Sequence, residues 1–144
     1  MKAMSLVASA RSVPGTLRQE ILVDGRFRLA TDEPVALGGE GLAPAPHELL
    51  PAALAACAGT TLAMYARTKG WELGQVEVDV VYDHKAVPRT CEITIRVDGP
   101  LTDEQLGRLE RVAASCPVQR AIEGGIAFTN RIERAASPGR RLSA

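Results

Sequence analysis

Aromatic side chains are scarce in this chain: one Trp, two Tyr and two Phe among 144 residues. So few rings leave no stacking surface for nucleic-acid bases, and the core must be built from Ala, Val, Leu and Ile. Net charge is absent as well, because 17 Lys and Arg balance 17 Asp and Glu. That balance argues against nucleic acid or an anionic membrane as a partner. No run approaches the roughly 20 apolar residues that a helix needs to cross a bilayer, so no transmembrane span is expected. Cysteine is sparse too: Cys57, Cys91 and Cys116, an odd number with no CxxC. The opening MKAMSLVASA runs on into RSVPGTLRQE like a strand, so it reads as mature protein and the expected compartment is the cytoplasm. There a structural disulfide framework is not expected, which leaves core, metal or redox roles for the thiols.

What is present is a chain of single-domain length with clear punctuation. In LRQEILV, residues 17–23, Leu17, Gln19, Ile21 and Val23 share one face. A three-residue loop over Asp24 to Arg26 would pair Val23 with Phe27 and Ile21 with Leu29. PVALGGEGLAPAP, residues 34–46, is a loop. It leads into HELLPAALAACAGTTLAMYARTKGW, a long helix ending at Lys69 with Gly70 as its C-cap. Apolar residues lie nearly all round this helix, as for one buried between other elements. Pro46 suits a first turn, while Pro51 predicts a kink or a later start.

Two alternating strands follow. Val76, Val78, Val80 and Tyr82 share a face, as do Cys91, Ile93, Ile95 and Val97, and HKAVPR joins them as a hairpin. LTDEQLGRLERVAAS carries a capping box, Thr102 with Gln105, a staple of Leu101 on Leu106, and a buried stripe of Leu106, Leu109, Val112 and Ala113. A short helix, a final strand IAFTNRIE, and a polar tail at 135–144 that is expected to be disordered complete a single domain over 1–134. The order predicts an α+β fold with mainly antiparallel strands.

The cysteines differ in setting. Cys91 sits on the apolar face of a strand and reads as a small buried hydrophobe. Cys116 precedes Pro117, which is favoured at a first helical position, so Cys116 falls at an N-cap. Free N–H groups and the macrodipole there lower a thiol's pKa, although the same position suits a cysteine that merely fills a gap. Cys57 lies mid-helix among small residues, either as a filler in a tight contact or where a second helix or a substrate comes close. Nothing in the spacing brings Cys57 and Cys116 together.

The stretch from about 44 to 134 resembles the OsmC/Ohr family, the osmotically inducible and organic-hydroperoxide-resistance proteins. The matching segments are PHELLPAALAAC ending at Cys57, TKGW with VEVDVVYDH, and CPVQRAIEGGI from Cys116. The resemblance implies an intertwined homodimer with two long central helices enclosed by curved antiparallel sheets. It also implies that Cys57 and Cys116 face each other at the dimer interface. Cys57 would be the peroxidatic thiolate, oxidised by an organic hydroperoxide to a sulfenic acid. Cys116 would resolve it as a disulfide that a dithiol, such as a lipoylated protein, reduces. No cofactor or metal is implied.

Such chemistry needs a cation beside the attacking sulfur and a carboxylate to orient that cation. In the family's peroxidases an arginine and a glutamate near the N-terminus serve, the glutamate ten residues before the first cysteine. Here that position is His47, and the glutamate is Glu48. On an ideal helix Glu48 lies about 180° round from Cys57 and His47 about 80°, each roughly 14 Å along the axis. Either would therefore act through an arginine, the Pro51 kink or another subunit, and Glu48 stabilises a helix start by itself. Some family members carry the arginine in the 34–46 loop, which has none here; others place it about thirty residues before the glutamate, so the resemblance points to Arg18, with Arg28 as second candidate, each on the polar side of its strand. The competing readings are a non-catalytic relative that binds a small apolar or thiol ligand, and a zinc site of Cys57, Cys116 and His47 or His84. The zinc spacing matches no compact pattern.

Overall fold

The computed structural model describes residues 5–135, so the 136–144 stretch of the tail lies outside the described residues. The chain forms two compact units. One holds the residues up to Leu49 with those from Thr129; the other is Leu50–Phe128. Three α-helices and two antiparallel sheets make the described residues an α+β fold.

The first unit is built on a three-stranded sheet in the order β1-β2-β3, with β1 at Ala8–Ser12, β2 at Gln19–Val23 and β3 at Phe27–Thr31. Asp24 (φ 54°) and Gly25 (φ 67°) take the left-handed conformation that turns the chain, and the Arg26 N–H closes the turn on the Val23 carbonyl at 3.1 Å. Val23 then faces Phe27 and Ile21 faces Leu29, the register expected of a three-residue loop.

The burial of this sheet does not follow its hydropathy pattern. Leu22 is 6% exposed, whereas Phe27 and Leu29, opposite Val23 and Ile21, are more than half exposed. The alternation could not separate the faces, because Leu22 stands between Ile21 and Val23. The face of Leu22 buries Asp32, whose carboxylate finds backbone donors, while its Glu20 and Arg28 stay exposed.

The second unit is organised by α1, Leu49–Lys69. Pro51 neither kinks it nor delays its start. It is the third residue, where its missing N–H would have no intrahelical acceptor, and Pro46 begins a separate 3-10 turn just before. Gly70 (φ 71°) ends the helix, and the Trp71 N–H reaches back to the Ala66 carbonyl at 2.9 Å. Only the stripe Leu54, Ala58, Leu62 and Ala66 is buried, so the helix is covered on one side rather than all round. Contrary to expectation, Pro46–Lys69 is long and apolar enough to cross a membrane by length and composition, its most apolar 18 residues having mean hydropathy 1.5. Alanines raise that mean without any long unbroken run, and a core helix passes the same test. In α1, Leu62 and Ala66 join the core cluster.

β4, Val76–Asp83, pairs with β5, Thr90–Val97, in the register Val78 to Ile95 and Val80 to Ile93. α2, Asp103–Ala113, starts on the expected capping box: the Gln105 N–H donates to Thr102 Oγ1 at 3.1 Å and the Thr102 N–H to Gln105 Oε1 at 2.8 Å. Leu109 and Ala113 reach the core with Leu62, Ala66 and Leu73, while Leu106 is 40% exposed and drops out of the predicted stripe. α3 spans Pro117–Gly124. IAFTNRIE forms no strand: residues 126–133 are irregular and exposed, because a strand exists only with a partner and none pairs with it among the described residues.

Candidate active site

α2 ends at Ala113, and a tight link carries the chain into α3. Ser115 Oγ donates to the Val112 carbonyl at 2.7 Å, and the Cys116 N–H donates to the Ala113 carbonyl at 3.2 Å. Pro117 then fills the first helical position with Cys116 as its N-cap. This corner seals Cys116, which is 0% exposed.

Across from it is the middle of α1. The Cys57 side chain neighbours Cys116 closely enough to bear on its ionisation. Both are free thiols, with Cys57 partly exposed. Two residues after Cys57, Gly59 packs toward β4, where even a methyl group would sit in ordinary contact, 3.7 Å from Val78 Cγ2.

The expected lowering of the Cys116 pKa by the helix start is overturned. Burial pushes the thiol up, and the neighbouring Cys57 sulfur pushes it further. The N–H groups of Gln119 and Val118 favour the thiolate without reversing that direction. The side chain makes no full cap hydrogen bond, and a sealed sulfur loses more from desolvation than an eight-residue helix returns. Cys116 therefore keeps its proton beside Cys57.

Cys91 is exposed rather than buried. It lies at the far end of the sheet from the core cluster, opposite Tyr82, where alternation predicts the face but not how far the core extends. A cavity of about 460 Å³ opens beside it, lined by Leu50, Leu54, Tyr82, Ile93, Gln119 and Ile122 among others. Among the described residues no cluster of three or more His, Cys, Asp or Glu could hold a metal ion, so the proposed zinc set is not assembled.

The remaining candidates lie in the first unit. Glu48 caps the turn that precedes α1, its Oε1 accepting the Ala45 N–H at 2.9 Å. Arg18 is not a solvated charge: it is partly buried, and its Nε is sealed from solvent with no acceptor. Arg28 is exposed. Sequence reasoning missed Asp32, which is 0% exposed. Its carboxylate accepts the N–H groups of Glu33 (2.8 Å), Leu42 (3.1 Å) and Glu40 (3.2 Å). Burial alone would raise its pKa, but these three donors and the Arg18 charge together hold it below the usual aspartate value. A signal was available, since the Val23–Phe27 register continued outward sets Arg18 opposite Asp32.

A family model for OsmC-like protein matches residues 38–130, from the first unit's loop through both cysteine motifs. The chain belongs to the OsmC-like family. Comparison with curated proteins found no match. Among solved structures, this OsmC-like chain is similar to a Psychrobacter arcticus 273-4 protein named for osmotic stress induction and detoxification response. The two are 26% identical over 83% of this chain and 89% of that one, with a TM-score of 0.69. The organic hydroperoxide resistance protein OsmC of Legionella pneumophila is 24% identical over 86% and 93%, with a TM-score of 0.62. OhrB of Bacillus subtilis, an organic hydroperoxide resistance protein, is 24% identical over 84% and 92%, with a TM-score of 0.57.

Proposed function

We propose that this OsmC-like protein is a thiol-dependent peroxidase that reduces organic hydroperoxides. Family membership supports a redox role, and the single observation that carries the finer reading is the adjacency of two free thiols, Cys57 and Cys116. The Cys57 thiolate attacks the O–O bond of ROOH, giving Cys57–SOH and an alkoxide that takes a proton to leave as ROH. Cys116 then attacks the sulfenic sulfur. Its proton leaves with the hydroxyl as water, and a Cys57–Cys116 disulfide forms. A dithiol reductant, such as a lipoylated protein, returns both thiols and becomes a disulfide itself.

The working unit is a homodimer in the cytoplasm, where reduced thiols persist. Membership in the family supports the dimer, as do the exposed Phe27, Leu29, Ile126 and Phe128. The test is to add cumene hydroperoxide and follow peroxide consumption together with the mass of the Cys57 and Cys116 peptides. Turnover with loss of two hydrogens across the pair is expected; neither consumption nor linkage would sink the reading.

The cavity beside Cys91 favours a second reading, a non-catalytic protein binding a small apolar or thiol ligand. Ligand binding that survives Cys57→Ser, in a protein whose parent consumes no peroxide, would select it.

A further inference from the structure

Away from the thiols, the C-terminal end of α1 and one side of α2 border a cavity of about 570 Å³, lined by Tyr65, Lys69, Trp71, Arg108 and Arg111 among others. By helix geometry Tyr65 and Lys69 stand roughly 12 and 18 Å along α1 from Cys57. We propose that this cavity binds a small organic phosphate, with its phosphate on Lys69, Arg108 and Arg111 and its organic part against Trp71. The inference is independent of the peroxidase reading.

Convergent charge carries it. Arg108 and Arg111 are three residues apart, so they share one side of α2. The Arg108 Nε–H donates to the Tyr65 hydroxyl at 3.0 Å, which fixes the guanidinium and leaves its two terminal NH2 groups for a ligand. Lys69 Nζ lies 5.7 Å from the centre of the same ring, and Arg108 Cζ 5.8 Å. One tyrosine ring thus meets two like charges and compensates only part of them. No ion pair neutralises Lys69, Arg108 or Arg111 among the described residues. Glu104 also borders the cavity, yet it pairs with none of the three. Three cations against one carboxylate favour an anion of more than single charge.

A phosphate ester answers that demand, with a charge of about −1.5 to −2 and three acceptor oxygens. Guanidinium forks match those oxygens, whereas a carboxylate brings one charge and two oxygens. The cavity is larger than a phosphate needs and has the size of a small-molecule site. Tyr65 and Trp71 give it a fixed apolar wall: their rings pack edge to face, 5.6 Å between centres, and both rest on the core cluster.

Trp71 is the single tryptophan, so its emission reports on this cavity. The experiment titrates phenyl phosphate, inorganic phosphate and phenol at constant ionic strength, reading Trp71 emission and, in parallel, heat by calorimetry. Phenyl phosphate is expected to bind saturably, about tenfold tighter than either fragment or more. Arg111→Gln and Lys69→Gln, both at exposed residues, should each weaken it about tenfold. Arg67→Gln is the control, exposed and about 200° round α1 from Tyr65, and should leave binding unchanged. No saturable binding by either readout overturns the proposal. So does an equal loss in Arg67→Gln, which marks a general charge effect. Inorganic phosphate or phenol binding as tightly as phenyl phosphate overturns the assignment of an organic phosphate.

Discussion

Asp32 in the first unit and Cys116 in the second are both fully buried ionisable groups, yet they are held in opposite states. Burial raises both. At Asp32 three backbone hydrogen bonds and the Arg18 charge outweigh it, so the carboxylate stays ionised. At Cys116 two N–H dipoles face burial and a neighbouring sulfur together, so the thiol stays neutral. Burial alone does not set protonation; the number and geometry of donors do. A loop wrapped round a carboxylate supplies three aimed donors, whereas a helix start beside Cys116 supplies weaker ones.

The most severe way to break this comparison is to remove Cys57. Cys57→Ser is expected to lower hydroperoxide consumption on the order of 10³-fold or more, as removal of a nucleophile does. It should also let the Cys116 thiol titrate at lower pH, measurable by alkylation rate.

Core packing comes next. Leu62→Ala should cost about 3 kcal/mol in a urea titration, since its fully buried side chain leaves a cavity. Leu22→Ala is expected to cost about as much, and the half-exposed Leu29→Ala about 1 kcal/mol or less. A cost at Leu29 that equals that at Leu22 would mean a second copy covers the apolar face. Thr102→Ala should cost about 1 kcal/mol through loss of its cap.

The two buried groups also predict opposite pH limits. Asp32 is depressed, so its stabilisation is present above about pH 4, the ordinary aspartate range, and fades as pH falls through its lower native value. Cys116 is raised, so its stabilisation is complete below about pH 8.5 and is lost as pH rises through its higher native value. Thermal melts across pH should show Asp32→Asn flattening the acid limb and Cys116→Ser the alkaline limb. The smallest effect is expected from Glu48→Gln, below about 0.5 kcal/mol and less than twofold in Cys57 alkylation, because an amide oxygen still accepts the Ala45 N–H.

The β4–β5 pairing, the α2 capping box and the Gly70 stop were legible because each depends on neighbours in sequence. The β2–β3 register was legible for the same reason, and its buried face was not. Alternation weighs Ile21 and Val23 against Leu22 but cannot see that Leu22 and Asp32 are buried while Phe27 and Leu29 are exposed. Cys91 was misread in the opposite sense, since a strand's apolar face says nothing about where the core ends. IAFTNRIE has strand character without a strand to pair with.

By itself, then, the sequence determined most of the elements, their caps, the β2–β3 register and the two cysteine motifs, all governed by contacts within a few residues. Only the tertiary structure decided that Cys57 meets Cys116, that Cys116 is neutral, and that Asp32 is buried and charged. Each of those depends on desolvation and on how the chain folds back, from the loop that wraps three N–H donors round Asp32 to the sulfur 59 positions before Cys116.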